Sequence, residues 1–292
     1  MSSFIDASRK GEHLSLSSIG LRRGQQLKEL VFVGLGLQDE MGISLRGIEE
    51  VRTADSVFIE LYTSLLPNFS LKHLVEICGK SIQVISRHDI EEESGKCVLQ
   101  AADHGKTVLL VPGDPLIATT HVALRIEAEK RKIKTRVTHG ASIISAVIGL
   151  SGLHNYKFGK TVTIPFLELG LSETPYDVVS QNVGLGLHTL CLLDIKADEK
   201  RYMSINEALD VLSMIEAKRK EEMIVPSRLA IGIARAGSNN PHVKAGFLED
   251  LSKHDFGEPP HSLVFPGKLH FMEVEALVYL AGAPRHLLET DK

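Results

Sequence analysis

The chain has 292 residues and a formal net charge of −4, from 33 basic and 37 acidic side chains, which allows two domains or one large one around a sizeable core. The lack of a basic excess excludes a strong nucleic-acid backbone binder, and no apolar run is long enough to span a bilayer. Cys78, Cys97 and Cys191 lie far apart and never form a CxxC pair, which excludes a disulfide framework or a zinc site and fits a reduced compartment. We therefore expect a soluble, cytoplasmic protein with no membrane, nucleic-acid or metal partner.

Residues 1–29 stand apart as a Ser-rich stretch in which Arg9, Lys10, Arg22 and Arg23 alternate with Asp6, Glu12 and Glu29. Its acidic residues and sparse apolar positions speak for a disordered extension rather than a transit peptide. From residue 30 to about 150, apolar runs at 30–35, 56–61, 82–86, 107–111 and 135–138 alternate with helically spaced segments, which predicts a parallel sheet covered by helices.

The first run enters the turn Gly34-Leu35-Gly36-Leu37, followed by a helical pattern from Ile43 to Ala54. This is not a dinucleotide fingerprint, because Asp39 stands where the third glycine is required. The fourth run, Val108 to Val111, stops at Pro112-Gly113-Asp114-Pro115. Ligands in open α/β sheets sit beyond the carboxyl ends of strands, so Asp114 is either a helix N-cap or a carboxylate that meets a ligand. A helix is expected from near Ala118 to Lys132, and the cations Lys130, Arg131, Lys132, Lys134 and Arg136 read as a solvated helix end and strand edge. Ser142 is placed to N-cap a helix reaching Leu150.

The glycine-rich, polar stretch Ser151 to Lys160 marks a domain boundary, giving units over 30–155 and 156–292. Beyond it we expect strands at 161–166, 187–194, 228–234 and 261–265. Helices are expected at 176–184, 204–218 and from Phe271 to Ala281.

The peptides Gly34-Leu-Gly-Leu37, Glu60-Leu-Tyr62-Thr63-Ser64, Pro112-Gly-Asp114-Pro-Leu-Ile117, Ala141-Ser142-Ile143, Tyr156-Lys-Phe-Gly159, Gly186-Leu-His188-Thr189, Ala234-Arg-Ala236-Gly237 and Pro259-Pro-His261, in this order, resemble the diphthine synthases, a branch of the tetrapyrrole methylase superfamily. The resemblance implies two α/β domains of the tetrapyrrole methylase type with the cofactor in the inter-domain cleft. It implies S-adenosylmethionine as cofactor and S-adenosylhomocysteine as product. The corresponding contacts fall on Leu37, Asp114, Ile117, Ser142, Ile143, Leu192, Ala236 and His261. Read on their own, Leu192 and Ile117 suit a plain core and His261 a satisfied strand-end histidine.

The resemblance further implies repeated methylation of the amine on a modified histidine of translation elongation factor 2, in diphthamide biosynthesis, by a homodimer. Three against four methyl transfers stay open. Pro266-Gly267-Lys268-Leu269-His270 looks like the archaeal branch, while Ala141 stands before Ser142 where that branch has proline. No catalytic residue is assigned. Asp39, Glu60 and Tyr62 are candidates for the substrate side, from their place at strand ends along one sheet edge. Arg87, His88, His154, Lys157 and Lys160 are candidates for contact with the protein partner, or plain exposed polar residues. The alternatives are a tetrapyrrole methyltransferase of the same superfamily and a cofactor-binding module without turnover.

Overall fold

The computed structural model describes residues 27–289. The expected extension therefore lies outside the described residues apart from its last three, of which Glu29 already pairs in the first strand.

Strands β1 (Glu29–Gly34), β2 (Ser56–Glu60), β3 (Gln83–Ile85), β4 (Lys106–Val111) and β5 (Lys134–Thr138) form one sheet in the order β3-β2-β4-β1-β5. All its pairings are parallel. Between them run α1 (Leu45–Arg52), α2 (Leu71–Cys78), α3 (Lys96–Asp103) and α4 (Val122–Lys130). Beyond their first residues, β1 from Leu30 and β4 from Val108 are apolar because both faces are covered. Leu30, Phe32, Leu109 and Val111 pack with Leu99 of α3 and Leu124 of α4. Val31, Val33, Val108 and Leu110 pack on the other face with Val51 of α1 and Leu74 of α2.

The chain thus winds one way from β1 to β3 and the other way from β3 to β5, and β1 and β4 are neighbours at the reversal. The loops after these two strands diverge to opposite faces and leave a crevice at their carboxyl ends. Four glycines make the crevice possible. A Cβ on Gly34 would lie 2.5 Å from the Gly113 carbonyl oxygen, and one on Gly140 would lie 2.4 Å from the same atom. Gly36 and Gly113, at φ +78° and +69°, exchange backbone hydrogen bonds of 3.2 and 2.6 Å that tie the two loops together.

Helix α5 (Ile143–Ser151) belongs to the first unit by chain order but buries Val147 in the second core. The second half contains β6 (Val162–Ile164), α6 (Thr174–Gly184), β7 (Thr189–Leu193), the short pair β8 (Ile195–Lys196) and β9 (Arg201–Tyr202), α7 (Ile205–Arg219), β10 (Leu229–Ala234), β11 (His242–Phe247), the single turn α8 (Leu248–Leu251), β12 (His261–Phe265) and α9 (Phe271–Leu280). Its sheet has the order β11-β10-β12-β7-β6, parallel between β6 and β7 and antiparallel elsewhere. A capping box between Ser204 and Glu207 starts α7, which covers one face.

Two expectations need correction. Helix α4 begins at Val122 rather than near Ala118, because Ala118 takes φ +55° in a loop that continues from Asp114. Strand β11 was not expected: HVKAGF lies at the sheet edge, four of its six residues only partly buried, and carries no continuous apolar run. Among the described residues, no helix is long and apolar enough to cross a membrane.

Candidate active site

A cavity of about 260 Å³ opens where the crevice of the first sheet meets the second sheet. All eight residues expected from the resemblance line it: Leu37, Asp114, Ile117, Ser142 and Ile143 from the first unit, and Leu192, Ala236 and His261 from the second. The second sheet contributes a transverse row. Leu192 of β7 is in register with Thr163 of β6 on one side and Ser262 of β12 on the other, and all three line the cavity. The two units touch beside it, where a Cβ on Gly237 would come within 2.3 Å of Leu37 Cβ.

Asp114 is buried, and its loop is stiffened by Pro112 and Pro115. One carboxylate oxygen accepts the Leu116 amide at 3.2 Å and the other lies 2.7 Å from His139 Nδ1. Helix α5 starts at the cavity, and Ser142 Oγ accepts the Ile144 amide as its N-cap. His261 is committed to the fold. Its Nδ1 accepts the Ile205 amide at 3.3 Å and its Nε2 donates to the Gly257 carbonyl at 3.0 Å, so neither ring nitrogen is left over for a ligand. Burial lowers its pKa and keeps it neutral.

The other candidates separate. Tyr62 and Arg87 line the cavity, with the Arg87 guanidinium carbon 5.3 Å from the Tyr62 ring centroid. Glu60 is fully buried behind them. Asp39 is spent as the N-cap of the turn Glu40–Gly42, where it accepts the Met41 amide. His88 and Lys160 are exposed outside the cavity. His154 and Lys157 serve a different centre, the buried Glu273 at the start of α9. Burial by itself would raise the Glu273 carboxyl. Hydrogen bonds from Lys157, the His154 and His270 amides and His188 outweigh it and hold the group at about 2.

Thr63, Asp194 and Gly237 also line the cavity but were not singled out. Their shared signal was position: each follows directly on the end of an apolar strand or its turn.

The donor set suits a small ligand that is partly apolar and partly cationic. Leu37, Ile143, Leu192 and Ala236 supply apolar surface, and Asp114 and Asp194 set two carboxylates on the wall against the single guanidinium of Arg87. Gly113 leaves its backbone open there, since a Cβ would meet nothing closer than 3.9 Å. S-adenosylmethionine has that character: an adenine, a sulfonium and an amino-acid tail.

The fold and cavity define a class, and the comparisons agree with it. Residues 29–252 match the family model of the Tetrapyrrole (Corrin/Porphyrin) Methylases, which makes the chain a methyltransferase. The diphthine synthase of Methanosarcina mazei is 49% identical over 266 residues, covering 89% of this chain and 98% of the relative. That of Methanocella arvoryzae is 49% identical over 255 residues, covering 87% and 98%. A crystal structure of a diphthine synthase superposes with a TM-score of 0.81 at 44% identity, covering 89% of this chain and 99% of the other. The chain belongs to the diphthine synthases within that family.

Proposed function

We propose that the chain binds S-adenosylmethionine in the cavity between its two units and methylates, repeatedly, the amine on the modified histidine of translation elongation factor 2. The observation that carries this reading is the convergence of eight residues, spread from Leu37 to His261, on one cavity. Leu37, Asp114, Ile117, Ser142, Ile143, Leu192, Ala236 and His261 are assigned to the cofactor. Leu192, Ile143 and Ala236 present apolar surface to the base, while Asp114 and the adjoining backbone take polar groups of the tail. His261 contributes shape and main chain, since its ring nitrogens hold the fold. A working unit of two copies in the cytoplasm, as in the family, completes the reading.

The bound cofactor supplies a methyl group on a positive sulfur, which needs no nucleophile from the enzyme. The protein's task is therefore positioning, worth on the order of 7–11 kcal/mol when both reacting atoms are held in line. The two-sided wall does this, because the first unit fixes one end of the cavity and the second unit closes the other. The acceptor must also arrive as a neutral amine, which requires a group to take its proton.

Incubating the protein with S-adenosylmethionine and elongation factor 2 that carries the amino-carboxypropyl histidine tests the reading by mass spectrometry. Successive additions of one methyl mass on the histidine peptide are expected. No addition there, with turnover on a porphyrinogen, would replace it with tetrapyrrole methylation.

A further inference from the structure

At the end of β2, Glu60 is fully buried beside the cavity wall, and among the described residues no lysine or arginine pairs with it. One carboxylate oxygen accepts the Tyr62 and Thr63 amides at 2.9 and 3.1 Å, and the other accepts the Thr63 hydroxyl. Thr63 itself lines the cavity, so the residue whose hydroxyl bonds Glu60 also borders the space where an acceptor would lie. Beside it lies His121, equally buried, with Nε2 3.8 Å from Glu60. The His121 ring makes no well-aligned hydrogen bond, its one approach being to the Pro115 backbone, and the buried Tyr62 hydroxyl has no partner.

Unpartnered buried polar groups cost about 1–3 kcal/mol each, so an unbonded phenol and a poorly bonded imidazole near a buried carboxylate are not an arrangement that stability favours. Function explains it better. We propose that Thr63 and Glu60 form the proton exit of the site, Thr63 receiving the proton shed by the acceptor amine and passing its own to Glu60.

This inference rests on the proposed substrate reading. In each round one N–H bond of the ammonium acceptor breaks and its proton joins Thr63 Oγ1. The original Thr63 O–H bond breaks as a new O–H bond forms on Glu60. The freed nitrogen lone pair then takes the methyl group, and the by-product leaves neutral. Before the next round the proton returns along the same path to water, so three methylations shed three protons without any further reactant.

The electrostatics agree with this role. Burial pushes the Glu60 carboxyl up to about 7, against the lowering effect of its hydrogen bonds from Thr63 and Tyr62 and of the more distant Arg87. Burial pulls His121 down to about 4, so it stays neutral and does not quench the Glu60 charge. Tyr62 is raised beyond its usual range by burial and by Glu60 and Glu91, and remains a phenol. Glu60 is therefore the group facing this corner that changes charge near neutrality.

The test pairs Glu60→Gln, Thr63→Val and Thr63→Ser in the full chain, with two readouts. The first is single-turnover methylation of elongation factor 2 from pH 5.5 to 9. Wild type should lose rate about tenfold per unit below pH 7 and level off above it, whereas Glu60→Gln should be roughly 100-fold slower or more at pH 7 and show no break there, its rate climbing with the neutral fraction of the acceptor amine. Thr63→Val should behave like Glu60→Gln, and Thr63→Ser should bring the break back. S-adenosylhomocysteine affinity should hardly change in Glu60→Gln, since Glu60 does not line the cavity.

The second readout is thermal unfolding. The folded pKa of Glu60 lies above its unfolded value, so stability is lost as pH rises from 4.5 through about 7. Glu60→Gln should melt higher than wild type at pH 8 and no higher at pH 4. A Glu60→Gln enzyme that keeps the break near pH 7, or no melting difference at pH 8, overturns the proton exit. Failure of the wild type to methylate elongation factor 2 would instead remove the substrate reading, while the melting curves still decide whether Glu60 carries an uncompensated charge.

Discussion

Leu37 and Gly237 meet across the two units so closely that any side chain on Gly237 would overlap the Leu37 Cβ, with 2.3 Å between the two carbons. Leu37 hangs from the glycine turn after β1, and Gly237 from the turn after β10. Their contact sets how near the two walls of the cavity can come.

Gly237→Ala should therefore act on binding before stability. Overpacking costs about 1–3 kcal/mol, and the easiest relief is a slight parting of the units. We expect S-adenosylhomocysteine affinity to fall roughly tenfold or more, the equivalent of about 1.4 kcal/mol, with a small change in melting temperature. Calorimetric titration checks this, and an unchanged affinity would mean that the contact does not govern the cavity.

Asp114→Asn keeps the shape of the loop and removes its charge. Hydrogen bonds to charged groups contribute about 1.5–3 kcal/mol, so cofactor and by-product should both bind roughly 10- to 100-fold more weakly. His139 also loses its carboxylate partner. Equal affinity for wild type and variant would take Asp114 out of the binding set.

The glycine stack at the carboxyl ends of β1 and β4 makes a stability prediction. A methyl group on Gly34 would press on the Gly113 carbonyl oxygen at 2.5 Å and on the Gly140 amide nitrogen at 2.6 Å, both backbone atoms that cannot rotate away. Gly34→Ala should cost about 3 kcal/mol or more, read as the shift in a denaturant unfolding curve. Gly79→Ala is the contrast. That residue has φ +66° with open space around it, so only the left-handed backbone penalty of about 1 kcal/mol applies.

Glu273 gives a pH dependence with the opposite sign to Glu60. Its folded pKa, about 2, lies below the ordinary 4.5, so its stabilisation is present above pH 4.5 and is lost as pH falls towards 2. The contribution at neutral pH is about 3 kcal/mol as an order of magnitude. Unfolding free energies of wild type and Glu273→Gln should differ at pH 7 and converge through that acid window. Parallel pH curves would contradict the assignment.

Much of the fold was legible because β1 and β4 are buried on both faces and so spell out their strands as unbroken apolar runs. Capping chemistry made α5 legible to within a residue, through Ser142, and helical spacing did the same for α7. The rest depended on long-range context. HVKAGF becomes β11 only because β10 offers it an edge, and Ala118 holds a left-handed conformation that no local pattern announces.

The site divides in the same way. The eight cofactor candidates came from ordered peptides, but nothing local distinguishes Asp39, spent on a cap, from Asp114, which reaches the cavity. Lys157 looked like a surface cation until α9 brought Glu273 against it. Glu60 is buried beside His121, 61 residues further along the chain, a pairing that sequence spacing cannot show.

The most direct test is a crystal structure of the protein with S-adenosylhomocysteine. The account predicts density in the cavity, with the ligand against Leu37 and Asp114 on one side and Leu192 and Ala236 on the other. A ligand bound at any other place on the chain, with this cavity filled only by solvent, would contradict it.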